Sequence, residues 1–282
     1  MKKNISETAY WVAIYRAIEN IKPDAIFHDP FASLLAGNRG KKMLQKMPHA
    51  LSSGWSMIVR TYIIDNIISA SIKEYSIDVV INIGSGLDTR PFRLEIPKNI
   101  CWIEIDLPDI ISYKKEKLKK YKPSCHLDYI SMDISDGAKL KTFIEKIGNN
   151  FECAIILTEG LLVYLTENEV ISLTKILYNC PSVKYWVLDI LSKDILKKLQ
   201  NLWNDKLSLI DATMKFAPKN PKDFFNRYCW KNIKFYSILD EAKKLNRDMP
   251  GAAKWRRYEK YMTNEQIEYL RNLACVLLLE KI

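Results

Sequence analysis

Residues 76–90 read SIDVVINIGSGLDTR. The run from Ile77 to Ile83 is short, β-branched and apolar, and it closes on Gly84, Ser85 and Gly86. That combination predicts a buried strand ending in a tight turn where missing side chains let the backbone approach a ligand closely. Working outward, a second apolar run spans Ile100 to Ile105 and ends on Asp106. Further strand-sized runs lie at His126 to Ser131, 153–160 (CAIILTEG) and 183–191 (VKYWVLDIL), with amphipathic stretches between them. Pro108 and Asp109 suit the first turn of a helix after the second strand, and Thr166 with Glu169 has capping-box spacing before another. Strands alternating with helices in this way predict β-α-β units and a doubly wound, mostly parallel α/β sheet.

The flanks differ from this centre. Residues 1–75 show apolar positions at helical spacing in TAYWVAIYRAIENI and SMIVRTYIIDNIISASIKEY, which predicts a helical cover over the sheet's ligand edge. Residues 193–262 read as a helix-rich basic lobe broken by Pro218, Pro221 and Pro250, where the acceptor side is expected. The last segment, 263–282, reads as a returning helix and an antiparallel strand, CVLLLEKI. The whole chain is read as one domain, with the cofactor-binding core at 76–192.

At 282 residues, 48% hydrophobic and 27% charged, the chain has an ordinary globular composition and excludes wholesale disorder or a coiled coil. Early charges at Glu7, Arg16 and Glu19 interrupt any signal-peptide core, and no run approaches the ~18 apolar residues of a membrane span. A cytoplasmic protein is expected. The net charge is +10, and residues 215–260 hold 13 Lys or Arg against 5 Asp or Glu, interleaved with aromatics. Such a stretch can attract nucleic acid, an anionic membrane surface or an acidic small substrate, or it can be a solvated face. The six cysteines, at 101, 125, 153, 180, 229 and 275, form no C-x-x-C pair and sit near no histidine cluster in the sequence, so no metal is expected.

In an open α/β sheet ligands bind beyond the carboxyl ends of the strands. Gly84-Ser85-Gly86 stands at one such end, and Asp106, twenty residues beyond Gly86, stands where these folds place an acid on ribose hydroxyls. The third glycine of the dinucleotide fingerprint is missing, since LDTR follows Gly86. A nucleoside without a diphosphate therefore fits better than NAD, and S-adenosyl-L-methionine is such a cofactor.

Five segments in order carry a resemblance: ISETA with YRAIEN and HDPFASLLAG, then VRTYIID, INIGSGLDTRPFRL, IEIDLPDIISYKKEKL and TEGLLVYL. With these the chain resembles the leucine carboxyl methyltransferase family and its bacterial S-adenosylmethionine-dependent O-methyltransferase branch. The resemblance implies a Rossmann-like methyltransferase fold with S-adenosylmethionine as cofactor. It implies that Arg60 pairs with the cofactor's methionine carboxylate, with Gly84, and Ser85 and Gly86 beside it, against the methionyl part. Asp106 would accept the ribose hydroxyls, Asp133 and Ile134 would hold adenine, and Glu159 would face the ammonium. Read as residues alone, Arg60 could be a helix ion pair, Asp133 an N-cap and Glu159 a surface acid, while Asp88 and Arg90 could be a mutual salt bridge shaping their turn. The family's late Gly-Trp pair has no counterpart in LNRDMPGAAKWRRYEKYM, residues 245–262.

A carboxylate acceptor, on a small molecule or a peptide C-terminus, is anionic at neutral pH and needs no general base. That suits a chain whose three histidines, His28, His49 and His126, are poorly placed to act as one. Tyr164 is the candidate for positioning the acceptor, with packing behind the cofactor as its alternative, and Arg256 and Arg257 are the candidates for attracting it. The alternatives are a nucleic-acid or protein-side-chain methyltransferase, disfavoured by the lack of an N-P-P-Y-like element or an RNA-binding module, a non-catalytic cofactor-binding protein, and a nicotinamide oxidoreductase.

Overall fold

The central run forms β1 (Val79–Ile83), whose five residues are all buried. In the computed structural model, which describes residues 7–208 and 212–282, α1 (Glu7–Asn20), α2 (Ala32–Lys46) and α3 (Ala50–Glu74) precede it. The chain continues through α4 (Arg90–Arg93), β2 (Cys101–Asp106), α5 (Pro108–Leu118), β3 (His126–Ser131), α6 (Gly137–Gly148) and β4 (Ala154–Thr158). A 3₁₀ turn at Leu162–Tyr164 leads to α7 (Glu167–Asn179), β5 (Val183–Leu191) and α8 (Lys193–Leu207). The remainder is α9 (Pro221–Asn226), β6 (Trp230–Ser237), α10 (Ile238–Lys244), α11 (Ala252–Glu259), α12 (Asn264–Arg271) and β7 (Ala274–Lys281).

The seven strands lie in the order β3-β2-β1-β4-β5-β7-β6. The first five are parallel, and β7 runs antiparallel between β5 and β6. The expected doubly wound sheet with a reversed last strand is thus the one observed. Strand order reverses between β1 and β4, so the crevice of the switch point opens above Gly84 and Glu159.

Both faces of the sheet are covered, which explains why β1 reads as a continuous apolar run rather than an alternating one. Val79, Ile81 and Ile83 pack with Leu140, Ile144 and Leu177 of α6 and α7. On the other face Val80 packs with Val59, Ile63 and Ile67 of α3. A third cluster joins α1 and α2 to α8. There Trp11 donates to the Tyr15 hydroxyl at 2.6 Å, Tyr15 donates to the Ala50 carbonyl at 2.6 Å, and the Trp11 and Trp203 rings meet edge to face at 4.7 Å.

Local signals held where side chains act on neighbouring backbone. Pro108 opens α5, and Thr166 with Glu169 forms a complete capping box on α7. Asp133 does not cap α6; Asp136 does, accepting from Lys139 N. The basic segment departs from its helical reading, because WKNIKFYS forms edge strand β6 against β7. Its lysines suit a sheet edge that must not pair with another chain, and they also weaken the apolar alternation that would have identified it.

Candidate functional site

A cavity of about 960 Å³ opens over the carboxyl ends of β1, β2, β4 and β5. Arg60, Gly84, Ser85, Gly86, Asp106, Asp133, Ile134, Glu159, Tyr164 and Arg256 all line it. Arg257 does not, and Arg256 is ion-paired with Asp248 at the cavity's rim. Both are exposed on α11, a helix with no buried residue. Among the described lining residues, Lys198 is the lysine or arginine without an ion pair, and it is exposed.

Gly84 and Gly86 have φ of 71° and 51°, and a Cβ on Gly84 would lie 2.9 Å from Leu161 Cδ1. Only glycine takes this conformation and this space without strain. The turn delivers Gly86 N–H to Asp106 Oδ2 at 2.6 Å, while Leu107 N–H reaches Oδ1 at 2.7 Å. Both carboxylate oxygens are thereby fixed in direction, and each has a further lone pair. Burial raises the Asp106 carboxyl above its ordinary pKa, against the lowering effect of the two backbone donors.

Behind the glycine turn lies a network of charged side chains. Arg60 donates Nε–H to Glu159 at 3.1 Å and Nη1–H to Asp189 at 3.0 Å. Arg90 reaches Glu159 at 2.7 Å, Asp88 at 2.8 Å and Asp65 at 2.7 Å. Arg93 forms two bonds to Asp65, at 2.6 and 2.8 Å. Although burial alone would raise it, Arg90 and Arg60 hold the Glu159 carboxyl below its ordinary pKa, so it is an anion. Four carboxylates, Asp65, Asp88, Glu159 and Asp189, thus face three guanidiniums. The surplus is one negative charge.

Asp88 and Arg90 do form the mutual salt bridge weighed above, and Arg90 also extends it to Glu159. The N-terminal segments belong to the same scaffold: Arg16 binds Asp29 at 2.8 Å, and Asp29 accepts from Thr89 at 2.7 Å. Asp189 and Asn82 were missed by sequence reading. Asp189 could have been found as the acid near the carboxyl end of the fifth strand; Asn82 lies inside an apolar run and gives no such signal.

Three of the eight unpartnered buried polar side-chain atoms among the described residues lie here. Asn82 Oδ1, Ser85 Oγ and Arg90 Nη2 are unpaired, and all three residues line the cavity. Unpaired buried polar atoms are costly unless a ligand or water completes them. Just beyond β3, Asp133 accepts from Ser135 N–H at 2.9 Å and Ser135 Oγ at 2.7 Å, both on Oδ1, with Ile134 partly buried beside it. Tyr164 is partly exposed; burial raises its hydroxyl pKa, with a bond to Thr8 and the charge of Arg60 acting the other way.

The profile of the leucine carboxyl methyltransferase family matches residues 9–177. A Streptomyces coelicolor protein named a "putative S-adenosyl-L-methionine-dependent methyltransferase" is 27% identical over 172 residues, covering 58% of this chain and 60% of that one. A Mycobacterium avium protein of the same name is 31% identical over 180 residues, covering 57% and 56%. The chain therefore spans about three fifths of the length of the curated relatives it matches. A solved DUF574 family protein from Streptomyces avermitilis superposes with a TM-score of 0.59 at 13% identity, over 96% of this chain and 97% of that one, a likeness of fold. From the matched profile, with the glycine turn, Asp106 and the arginine segment all inside it, this chain belongs to the leucine carboxyl methyltransferase family.

Proposed function

We propose that the protein is an S-adenosylmethionine-dependent O-methyltransferase that esterifies a carboxylate. The observation that carries the cofactor reading is the cavity's lining: a glycine turn, a ribose-type acid and a charged cluster with one surplus negative charge, in sequence along one edge of the sheet. The cofactor is cationic overall, and it supplies a methyl group on a sulfonium in line with the acceptor oxygen.

In this reading Asp106 accepts the ribose hydroxyls with the lone pairs its backbone donors leave. Asp133 takes the adenine amine and Ile134 offers the ring an apolar contact. Glu159 faces the ammonium. Arg60, held by Glu159 and Asp189, receives the methionine carboxylate; Gly160, with φ of 62°, leaves room for its guanidinium, since a Cβ there would lie 3.1 Å from Nη1. Ser85, Asn82 and Arg90 complete their unpaired atoms on bound ligand or the water it orders.

An anionic carboxylate needs no proton removed, which suits a lining whose one histidine, His49, belongs to the helical cover. Tyr164 would position the acceptor through its hydroxyl. Lys198, rather than Arg256 or Arg257, supplies the unbalanced positive charge at the cavity, and steering of an anionic acceptor falls to it.

Calorimetric titration with S-adenosylmethionine, S-adenosylhomocysteine and NAD, on the wild type and on Asp106→Ala, tests the cofactor reading. Saturable binding of the two sulfur compounds alone, lost in a variant with unchanged circular dichroism, is expected; a folded wild type that binds neither overturns it. Methyl label released as methanol by mild alkali marks an ester product. Alkali-stable product would exclude a carboxylate acceptor.

A further inference from the structure

Cys101 and His126 stand 25 positions apart in the sequence, yet the parallel register of β2 and β3 sets them directly opposite one another. The same register sets Asp128 opposite Ile103. Because side chains alternate along a strand, His126 and Asp128 share one face of β3, and Cys101 lies on the matching face of β2. The Cys101 thiol, an imidazole nitrogen of His126 and a carboxylate oxygen of Asp128 all lie within 4.8 Å of one another. Among the described residues no other group of three potential metal ligands gathers in this way.

We propose that Cys101, His126 and Asp128 form a binding site for a zinc-type divalent cation, at the end of the sheet opposite the cofactor cavity. His126 Nε2 and Asp128 Oδ2 are 3.3 Å apart. Tetrahedral zinc with bonds of about 2.0 to 2.2 Å separates two such ligands by about 3.3 to 3.6 Å, so this edge of the tetrahedron is already formed. The thiol has to close by a side-chain rotation. Cys101 is buried beneath the pair, whereas the His126 and Asp128 side chains are 68% and 53% exposed, so a cation reaches the site from solvent and keeps a water as its fourth ligand.

The donor set chooses the ion. Magnesium and calcium prefer oxygen ligands, whereas thiolate and imidazole together favour zinc or its spectroscopic substitute cobalt(II). Binding forms the metal–sulfur bond and releases the thiol proton to solvent. The site lies where β2 and β3 begin, and β3 is an edge strand, so a bound ion clips the outermost strand to its neighbour. Methyl transfer at the other end of the strands has no part in it.

The test uses the full chain without an affinity tag, in a Cys229→Ser background because Cys229 is an exposed thiol, kept reduced with a phosphine. Titration with cobalt(II) should saturate at one ion per chain, with thiolate-to-cobalt charge-transfer absorption that zinc bleaches. His126→Ala and Asp128→Ala alter exposed side chains; each should weaken binding by about a hundredfold or more. Cys101→Ser should remove the charge-transfer band. Three results would each overturn the proposal: no stoichiometric binding by the parent, binding unaffected by His126→Ala, or a saturated complex with no charge-transfer band. The second would mean a metal bound elsewhere and the third a surface His–Asp pair acting without the thiol.

Discussion

Gly84 shows how one residue can serve both fold and site. Its φ of 71° and the 2.9 Å approach of Leu161 to a would-be Cβ leave no unstrained room for a side chain. Gly84→Ala should lower stability by about 1 to 3 kcal/mol, read as a shifted denaturation midpoint, and should weaken cofactor binding with it. A midpoint equal to the wild type would mean that the turn relaxes freely. Arg60 and Glu159 were singled out from separate segments of the family pattern, and both line the one cavity. Their pairing with each other and with Asp189 required coordinates, since an ion pair between residues 99 positions apart leaves no trace in spacing.

At the scale of elements, β2 and α5 meet through an ion pair with no solvent access. Lys114 reaches Glu104 at 2.5 Å, and both side chains are fully buried. Burial pushes the Glu104 carboxyl up to about 7 from an ordinary 4.5, with Lys114 opposing the rise. The folded chain therefore holds that proton more tightly than the unfolded chain. The group's contribution to stability is fully present below about 4.5 and is lost as pH rises through 7. Denaturation midpoints measured across this window should fall more steeply with pH in the wild type than in the double variant Glu104→Gln, Lys114→Met. Removing both partners avoids stranding a buried charge. Parallel slopes would show that the Glu104 carboxyl titrates alike in the folded and unfolded chain.

The elements themselves were unequally legible. Strands β1, β2 and β4 are buried almost throughout and β5 and β7 over most of their length, so they read as short apolar runs, and the capping box of α7 was visible because it acts within four residues. Strand β6 was not, because an edge strand half covered by solvent carries lysines where a central strand carries valines.

Across the whole molecule, residues far apart in sequence close the helical cover. Arg247 donates to Glu19 at 2.9 Å and to Asp24 at 2.9 Å, tying the segment after α10 to the end of α1. Glu19 is buried and keeps Lys22 and the Ile26 N–H as partners when Arg247 is removed. Arg247→Ala should cost about 3 kcal/mol, measured by denaturation, and faster hydrogen exchange should appear in both α1 and α10. A change confined to α10 would mean that the two segments are not coupled.

The sequence by itself determined the α/β class, the run of parallel strands, the reversed last strand and which residues stand at the strand ends. Those are local matters: periodicity, glycine turns, caps and a few residue types in family order act over fewer than about twenty residues. Tertiary structure alone decided which charges remain free. It paired Arg256 with Asp248, left Lys198 without an ion pair among the described residues, joined Arg60 to Asp189, and set Cys101 beside His126 and Asp128. The physical reason is common to all four. Electrostatic partners and metal ligands are chosen by distance in space, and strand register and helix packing bring together residues whose separation along the chain carries no information about it.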